Sequence, residues 1–298
     1  MNKKLGLTYV ATGSISYGIL ATVVKYANSQ GAGTALLTFA QYVFAALILT
    51  ILAWKVTNTR NFKENHELPS SKLKRKLMAY GTTLGFSSSF YYMTIQYVPV
   101  SVGIILLMQA IWMGVVIDLI TTKGKNSSLK IIGALVAIIG TLLAAKVFEN
   151  SISFHPLGIA FGLLAAISFT SFMYFSNRLD HQTHVIIKSK YLVYGGFVIV
   201  LLFWNFHILH EFTLKDMFKW GVFLAIFGSI IPPVFFSQGM PSIGTGLGSI
   251  VSSIEIPFSV LSAAVILNED VSILQWVGIA IILFAVVLIN FRKEKIIH

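Results

Sequence analysis

A single carboxylate, Glu255, sits inside the apolar stretch 244–267. A charged acid at the centre of a hydrocarbon span costs about 2.5–3.5 kcal/mol on insertion scales, so it must face a cavity, find a partner or stay protonated. Ser252 lies at i−3, Ser259 at i+4 and Gly248 at i−7, which on a helix makes one small, polar face. Two chemistries fit this pattern. Glu255 either binds and releases protons or meets a substrate ammonium, or it is a structural carboxyl hydrogen-bonded to a neighbouring helix. Gln109, within 99–121, has Trp112 one turn along and offers a polar, partly aromatic contact. The bland alternative there is an interhelical hydrogen bond, worth about 0.6 kcal/mol on average. Ser16 with Tyr17, Gln41 with Tyr42, and Tyr91 beside Ser87-Ser88-Ser89 are further polar groups in apolar surroundings that could line a cavity. Pro232 and Pro233 remove two backbone donors within 217–238, and Pro257 follows Glu255 closely. Prolines there either open a helix to a pathway or merely accommodate packing.

Other chemistries lack their parts. Gly244-Thr245-Gly246-Leu247-Gly248 brushes a dinucleotide fingerprint, but Ser249 replaces the last glycine and no strand–helix–strand context surrounds it. The histidines (66, 155, 181, 184, 207, 210 and 298) fall in loops, stretch ends or the tail. His181-x-x-His184 and His207-x-x-His210 each lack a third ligand, so no metal site is expected. There is no P-loop, and the absence of cysteine excludes thiol catalysis and thiolate zinc sites. No cofactor is expected, and the reading is not that of an enzyme.

The elements that must position these groups follow from composition. Of 298 residues, 56% are hydrophobic and 11% charged, and the net charge is +11. Soluble domains carry about 25% charged residues, so this chain belongs in a lipid bilayer. Ten apolar stretches fall near 5–26, 34–54, 77–97, 99–121, 129–147, 156–177, 189–209, 217–238, 244–267 and 272–291. Each is long enough to span as a helix of about 20 residues. The first lacks a convincing signal-peptidase site and is read as retained. With ten spans, Lys25, Lys146, Lys215 and Lys219 fall on one side, leaving 18 of the 22 Lys and Arg on the side of both termini. Excess Lys and Arg mark the cytoplasmic side, so both termini are expected inside. The positive charge is therefore topological. The cluster Lys72 to Lys76 reads as an orientation anchor or a contact for anionic lipid, and no nucleic-acid partner is expected.

The chain also repeats. Leu5-Gly6-Leu7 lies on Leu157-Gly158-Ile159, and Ile15-Ser16-Tyr17 on Ile167-Ser168-Phe169. Gln96-Tyr97-Val98-Pro99 lies on Gln238-Gly239-Met240-Pro241, while Ser127, Leu129 and Gly133 match Ser272, Leu274 and Gly278. Two halves of five spans follow, residues 1–148 and 156–292, with a cytoplasmic tail at 293–298. Because five is odd, the halves enter the bilayer from opposite sides. Such inverted repeats are shared by many secondary transporters, whose substrate site lies near the midplane between the repeats.

These features, together with Ile254-Glu255-Ile256-Pro257, Leu267-Asn268-Glu269 and Gln275-Trp276-Val277-Gly278, resemble an EamA-type member of the drug/metabolite transporter superfamily. The resemblance covers essentially the whole chain. It departs from the family pattern in two places: Ile256 separates glutamate from proline, and Met108-Gln109-Ala110-Ile111-Trp112 has no proline. It implies an all-α carrier of the bacterial inner membrane, exporting amino acids or related small polar metabolites by alternating access. Protons are a further expected partner, with Glu255 and Gln109 on opposing cavity walls. The alternative is a flippase for a lipid-linked or nucleotide-linked molecule. That would call for a basic cavity, yet no Lys or Arg lies mid-span. An intramembrane enzyme would need clustered acid, base or metal groups at one depth. Three G-x-x-x-G pairs, Gly81/Gly85, Gly158/Gly162 and Gly244/Gly248, fit close helix approach and leave a homodimer open.

Overall fold

The computed structural model describes residues 2–59, 62, 68–98, 100–122, 127–144, 155–179, 183–268 and 270–291, and every regular element among them is helical. Arg60, Lys63, His66, Pro99, Lys123, Lys125, Lys146, His181, Glu269 and the tail at 293–298 lie outside the described residues. The first half contributes α1 (Lys3–Ser29), α2 (Thr34–Thr57), α3 (Ser71–Tyr97), α4 (Val100–Leu107), α5 (Ala110–Thr121) and α6 (Ser127–Ala144). The second contributes α7 (Pro156–Asn177), α8 (Val185–Glu211), α9 (Leu214–Leu224), a π-helical turn (Ala225–Ile230) and α10 (Ile231–Ile243). It ends with α11 (Thr245–Ser252), α12 (Glu255–Leu267) and α13 (Ile273–Phe291).

Seven segments are long and apolar enough to cross a membrane: Lys3–Ser29, Thr34–Thr57, Val102–Thr121, Pro156–Asn177, Val185–Glu211, Leu214–Ile243 and Thr245–Ile266. Ser128–Ala144 and Ile273–Leu288 are apolar but shorter. Helix α3 is long enough, at 27 residues, but begins with the basic cluster from Lys72 and carries three consecutive serines. Its start is fixed by Ser70, whose side chain accepts from the Leu73 N–H at 3.3 Å.

Packing exchanges helices between the halves. Helix α1 packs on α10 and α12 of the other half, and α7 packs on α3 and α4 in return. The pairs α3 with α8, α2 with α9, α5 with α11 and α6 with α13 complete the pattern. Each half thus supplies what the other lacks, and the core runs along their seam.

The three glycine pairs are used inside this fold. At Gly81 and Gly195 an added Cβ would run into the backbone carbonyls of Leu192 and Met78, so α3 and α8 touch main chain to main chain. Gly158 and Gly162 face Val98 and Leu106, while Gly244 faces Asp118 and Gly248 faces Met240. These motifs therefore serve contacts within one chain.

Two local departures shape the ends and middle of the bundle. In α8, Asn205 takes φ 25°, ψ −109°, and its side-chain Oδ1 accepts the Phe206 N–H. The last residues of α8 therefore turn aside, carrying Glu211 to the start of α2. There its Oε2 accepts the Leu36 N–H at 3.1 Å, serving a helix whose own N-cap, Gly33, has no side chain. The second departure is the π turn. Ile231 donates to Ile226, and Pro232, next in that register, has no N–H for the carbonyl of Phe227. Ser16 on α1 fills the gap, its hydroxyl donating to that carbonyl at 2.6 Å.

Candidate functional site

Both halves interrupt one long helix at matching places. After α11, Ser253 and Ile254 donate to Ile250 and Val251, and Ile256 donates to Ser253, all at i−3 spacing. Between α4 and α5, Gln109 donates to Leu106 and Ile111 to Met108 at the same tightened pitch. In the register that lays Ser127 on Ser272, Gln109 falls on Ile254. Glu255 is the first residue after the break in the second half, and Pro257 lies within the first turn of α12 rather than at the break. The equivalent turn in the first half forms without a proline. Pro232 and Pro233 likewise stand in the first turn of α10, just after the π turn.

Glu255 is 7% exposed and Oε2 has no hydrogen-bond partner among the described residues. It opens on a cavity of about 40 Å³ whose wall comes from both halves. Tyr17, Leu20 and Ala21 of α1, Ser87, Ser88, Tyr91 and Tyr92 of α3, and Leu107 of α4 form one side. Phe169 of α7 and Glu255 form the other. The Tyr91 hydroxyl is also buried without a partner. Buried polar atoms in folded proteins are nearly always hydrogen-bonded, and stranding one costs about 1–3 kcal/mol. Two such atoms on one cavity wall mark a place where something polar is expected. The volume suits a water or two and no metabolite.

The surrounding polar groups hold this wall in place. Gln41 is fully buried, donates from Nε2 to Ser229 Oγ at 2.8 Å, and accepts the Tyr92 hydroxyl at 3.1 Å. It thereby ties α2 to α3 and to the π turn. Tyr42 pairs its hydroxyl with Ser88 at 3.0 Å. Tyr17 packs edge-on against Phe169, with ring centroids 5.9 Å apart.

Of the residues expected from sequence, the structure brings Glu255, Tyr17 and Tyr91 together on the cavity, with Gln41, Tyr42 and Ser16 as supports one layer out. It does not bring Gln109 or Trp112 there. Gln109 donates to Ile105 O of its own helix at 3.0 Å and accepts the Trp112 indole N–H at 2.9 Å, and Trp112 is 42% exposed. The pair satisfies itself on the outer face, so Gln109 is not the wall opposite Glu255. Ser252 is also outside the lining, because its hydroxyl donates to Ser249 O at 2.7 Å.

Sequence reading passed over Asp118. It is 3% exposed, pairs with Lys130 on α6, and lies against Gly246 at the start of α11. An acid near the end of one apolar stretch, with a lysine opening the next, was the available signal. Nearby, Asn177 donates to Thr245 Oγ1 at 3.4 Å, and Ser249 donates to Ile111 O at 3.1 Å. At this end of the seam the Ser249 hydrogen bond to Ile111 and the seating of Asp118 on Gly246 join the halves, while the Asp118–Lys130 and Asn177–Thr245 contacts each lie within one half.

A helical bundle of this apolar character, built from two exchanged halves around an unpaired carboxyl, defines the class: a multi-pass membrane transporter. The sequence pattern of the EamA-like transporter family matches residues 4–146 and 156–291, so the chain belongs to that family, within the drug/metabolite transporter superfamily. A solved structure described only as "Crystal structure of protein" shares the fold. It superposes with a TM-score of 0.74 at 16% identity, covering 95% of this chain and 98% of the other. No match in sequence was found among curated proteins.

Proposed function

We propose that the protein is a secondary transporter that moves a small polar metabolite, an amino acid or a related compound, by alternating access. The carrying observation is the free, buried Glu255 carboxyl oxygen in a cavity walled by both halves. A cavity of about 40 Å³ admits water alone, so loading a metabolite there requires the halves, 1–148 and 156–292, to separate. The end joined by Ser249 with Ile111 and by Asp118 with Gly246 is then one of two alternating seals. Ten spans in two inverted units fit the reciprocal packing, with α4 and α5 forming one span, α9 and α10 another, and α11 and α12 a third.

Orientation follows from charge: with 18 of 22 basic residues on their side, both termini face the cytoplasm. Aromatic rings carry part of that basic band, with Arg178 over Tyr174 at 4.4 Å and Lys190 over Tyr191 at 4.8 Å. Location in a bacterial inner membrane and outward transport rest on the family resemblance. The flippase alternative is disfavoured because no Lys or Arg lines the cavity.

The test is gradient-driven uptake of an amino-acid panel into proteoliposomes, wild type against Glu255→Gln, with and without an imposed pH gradient. Loss of gradient-driven transport with retained folding supports the assignment. Unchanged transport in the variant removes Glu255 as the proton site.

A further inference from the structure

A second and much larger cavity, of about 680 Å³, lies where α1, α3 and α8 finish and α2 begins. Cavities that take small organic ligands run from about 300 to 1,000 Å³, so this one has room where the Glu255 cavity has none. Its wall includes Gln96 and Tyr97 of α3 and Phe203, Trp204, His207 and Glu211 of α8. Tyr91 and Tyr92 line the smaller cavity and Met93, Gln96 and Tyr97 the larger, so the two cavities follow one another along α3.

Three properties of this wall specify a ligand. Glu211 is its one carboxylate, and no Lys or Arg belongs to it. Lys25, Lys215 and Lys219 sit on α1 and α9 toward the same end but outside the lining. One carboxylate oxygen of Glu211 receives the Leu36 N–H, which fixes the side chain in position. Next to it stand the rings of Phe203 and Trp204, of a type whose faces attract a cation, with Tyr97, itself stacked on His155 at 4.8 Å, beside them. The third property is independent of charge. Trp204 is 6% exposed and its indole nitrogen, a donor only, has no acceptor among the described residues. A ligand that brings a hydrogen-bond acceptor as well as a positive charge would satisfy both groups. A carboxylate is a poor choice of acceptor, because neither cavity has a Lys or Arg to pair with it, and the one imidazole in the larger wall, His207, stands one helical turn from Glu211 on α8.

We infer that the 680 Å³ cavity is a binding site for an amine-bearing monocation with an aromatic or apolar body and a neutral acceptor, the class of compound that the transporter carries. The substrate part of this statement rests on the transport reading above, which it narrows from amino acids to related amines without a free carboxylate; the binding part does not. Glu211 takes the ammonium, the three rings enclose the body, and the Trp204 N–H meets the acceptor. The ligand then passes from one carboxylate, Glu211, to another, Glu255.

The full chain in nanodiscs at neutral pH, titrated calorimetrically with three matched probes, tests this. Tyramine has the ammonium and a phenol, tyrosine adds a carboxylate, and 4-ethylphenol lacks the amine. Tyramine should bind at least about tenfold more tightly than either of the others, in line with the worth of one charge-assisted contact. Glu211→Gln keeps an acceptor for the Leu36 N–H while removing the charge, and should weaken tyramine about tenfold or more. Trp204→Phe should weaken it by a smaller factor and weaken 4-ethylphenol, which keeps the phenol oxygen, to a similar extent. Equal or tighter binding of tyrosine, or tyramine affinity unchanged in Glu211→Gln, overturns the inference. Glu255→Gln separates the two claims. Tyramine bound as tightly as in wild type, with transport abolished, upholds both. Gradient-driven transport intact in that variant sinks the proton-site reading alone and leaves the site at Glu211 standing.

Discussion

Gln41 gives the sharpest quantitative handle on the site, because replacing it with leucine changes the chemistry and hardly the volume. The amide bridges the Tyr92 hydroxyl and Ser229, and all three groups are essentially excluded from solvent. Gln41→Leu breaks both bonds. Ser229 only accepts in this pair, so the change strands no donor there and its share of the loss is small. The Tyr92 hydroxyl is fixed in the plane of its ring and stays stranded. Interhelical hydrogen bonds in membranes average about 0.6 kcal/mol and reach about 1.7, and a stranded buried hydroxyl costs about 1–3. The expected loss is therefore about 1–2 kcal/mol, with a negligible packing contribution from so conservative a change in size. Adding Tyr92→Phe should then recover about half of it, because the stranded group is gone. Reversible unfolding in mixed micelles, followed by circular dichroism for the wild type, both single variants and the double variant, reads this cycle. The reasoning is refuted if Gln41→Leu lies within about 0.3 kcal/mol of wild type, or if Tyr92→Phe costs the same in both backgrounds.

Two further outcomes follow from the same geometry. Ser16→Ala leaves the Phe227 carbonyl without a donor and should lower stability by about 1 kcal/mol in the same assay. Ser14→Ala, whose hydroxyl bonds only Val10 of its own helix, should be nearly silent. Because the chain has no cysteine, single reporters placed at Leu68 and Gly31 can be labelled from either face of intact cells. Label from outside is expected at Gly31 and not at Leu68; the reverse pattern would overturn the proposed orientation.

How much of this was legible beforehand depended on the kind of signal. Every apolar stretch read from the sequence carries helix in the structure, since length and hydropathy alone demand it. Glu255 was legible for a related reason: it stands near the middle of its apolar run, whereas Asp118, near the end of another, passes for a boundary residue. Gln109 shows where such reasoning stops. Its depth along the helix followed from position, but its direction did not, because a glutamine can satisfy itself on Ile105 and Trp112 without meeting the cavity. The break beside it was invisible for want of a proline, although the partner break before Pro257 forms the same turn. The α8 end was hidden too. Asn205 bends it through a backbone conformation that no periodicity records, and only that bend delivers Glu211 to α2.

The π turn at Ala225–Ile230 has a consequence for how segment 214–243 is phased. A wide turn holds one residue more than an α-helix would, and each residue advances the helix by about 100°. The surplus residue therefore sets which flank of α10 meets α1, including the close seating of Gly239 on Gly6 and of Phe236 on Gly13. A helical wheel drawn straight through the segment turns everything beyond Ile231 onto the wrong flank. Removing a single residue from the turn would swing that seam about 100° around the helix axis, away from its seat on α1.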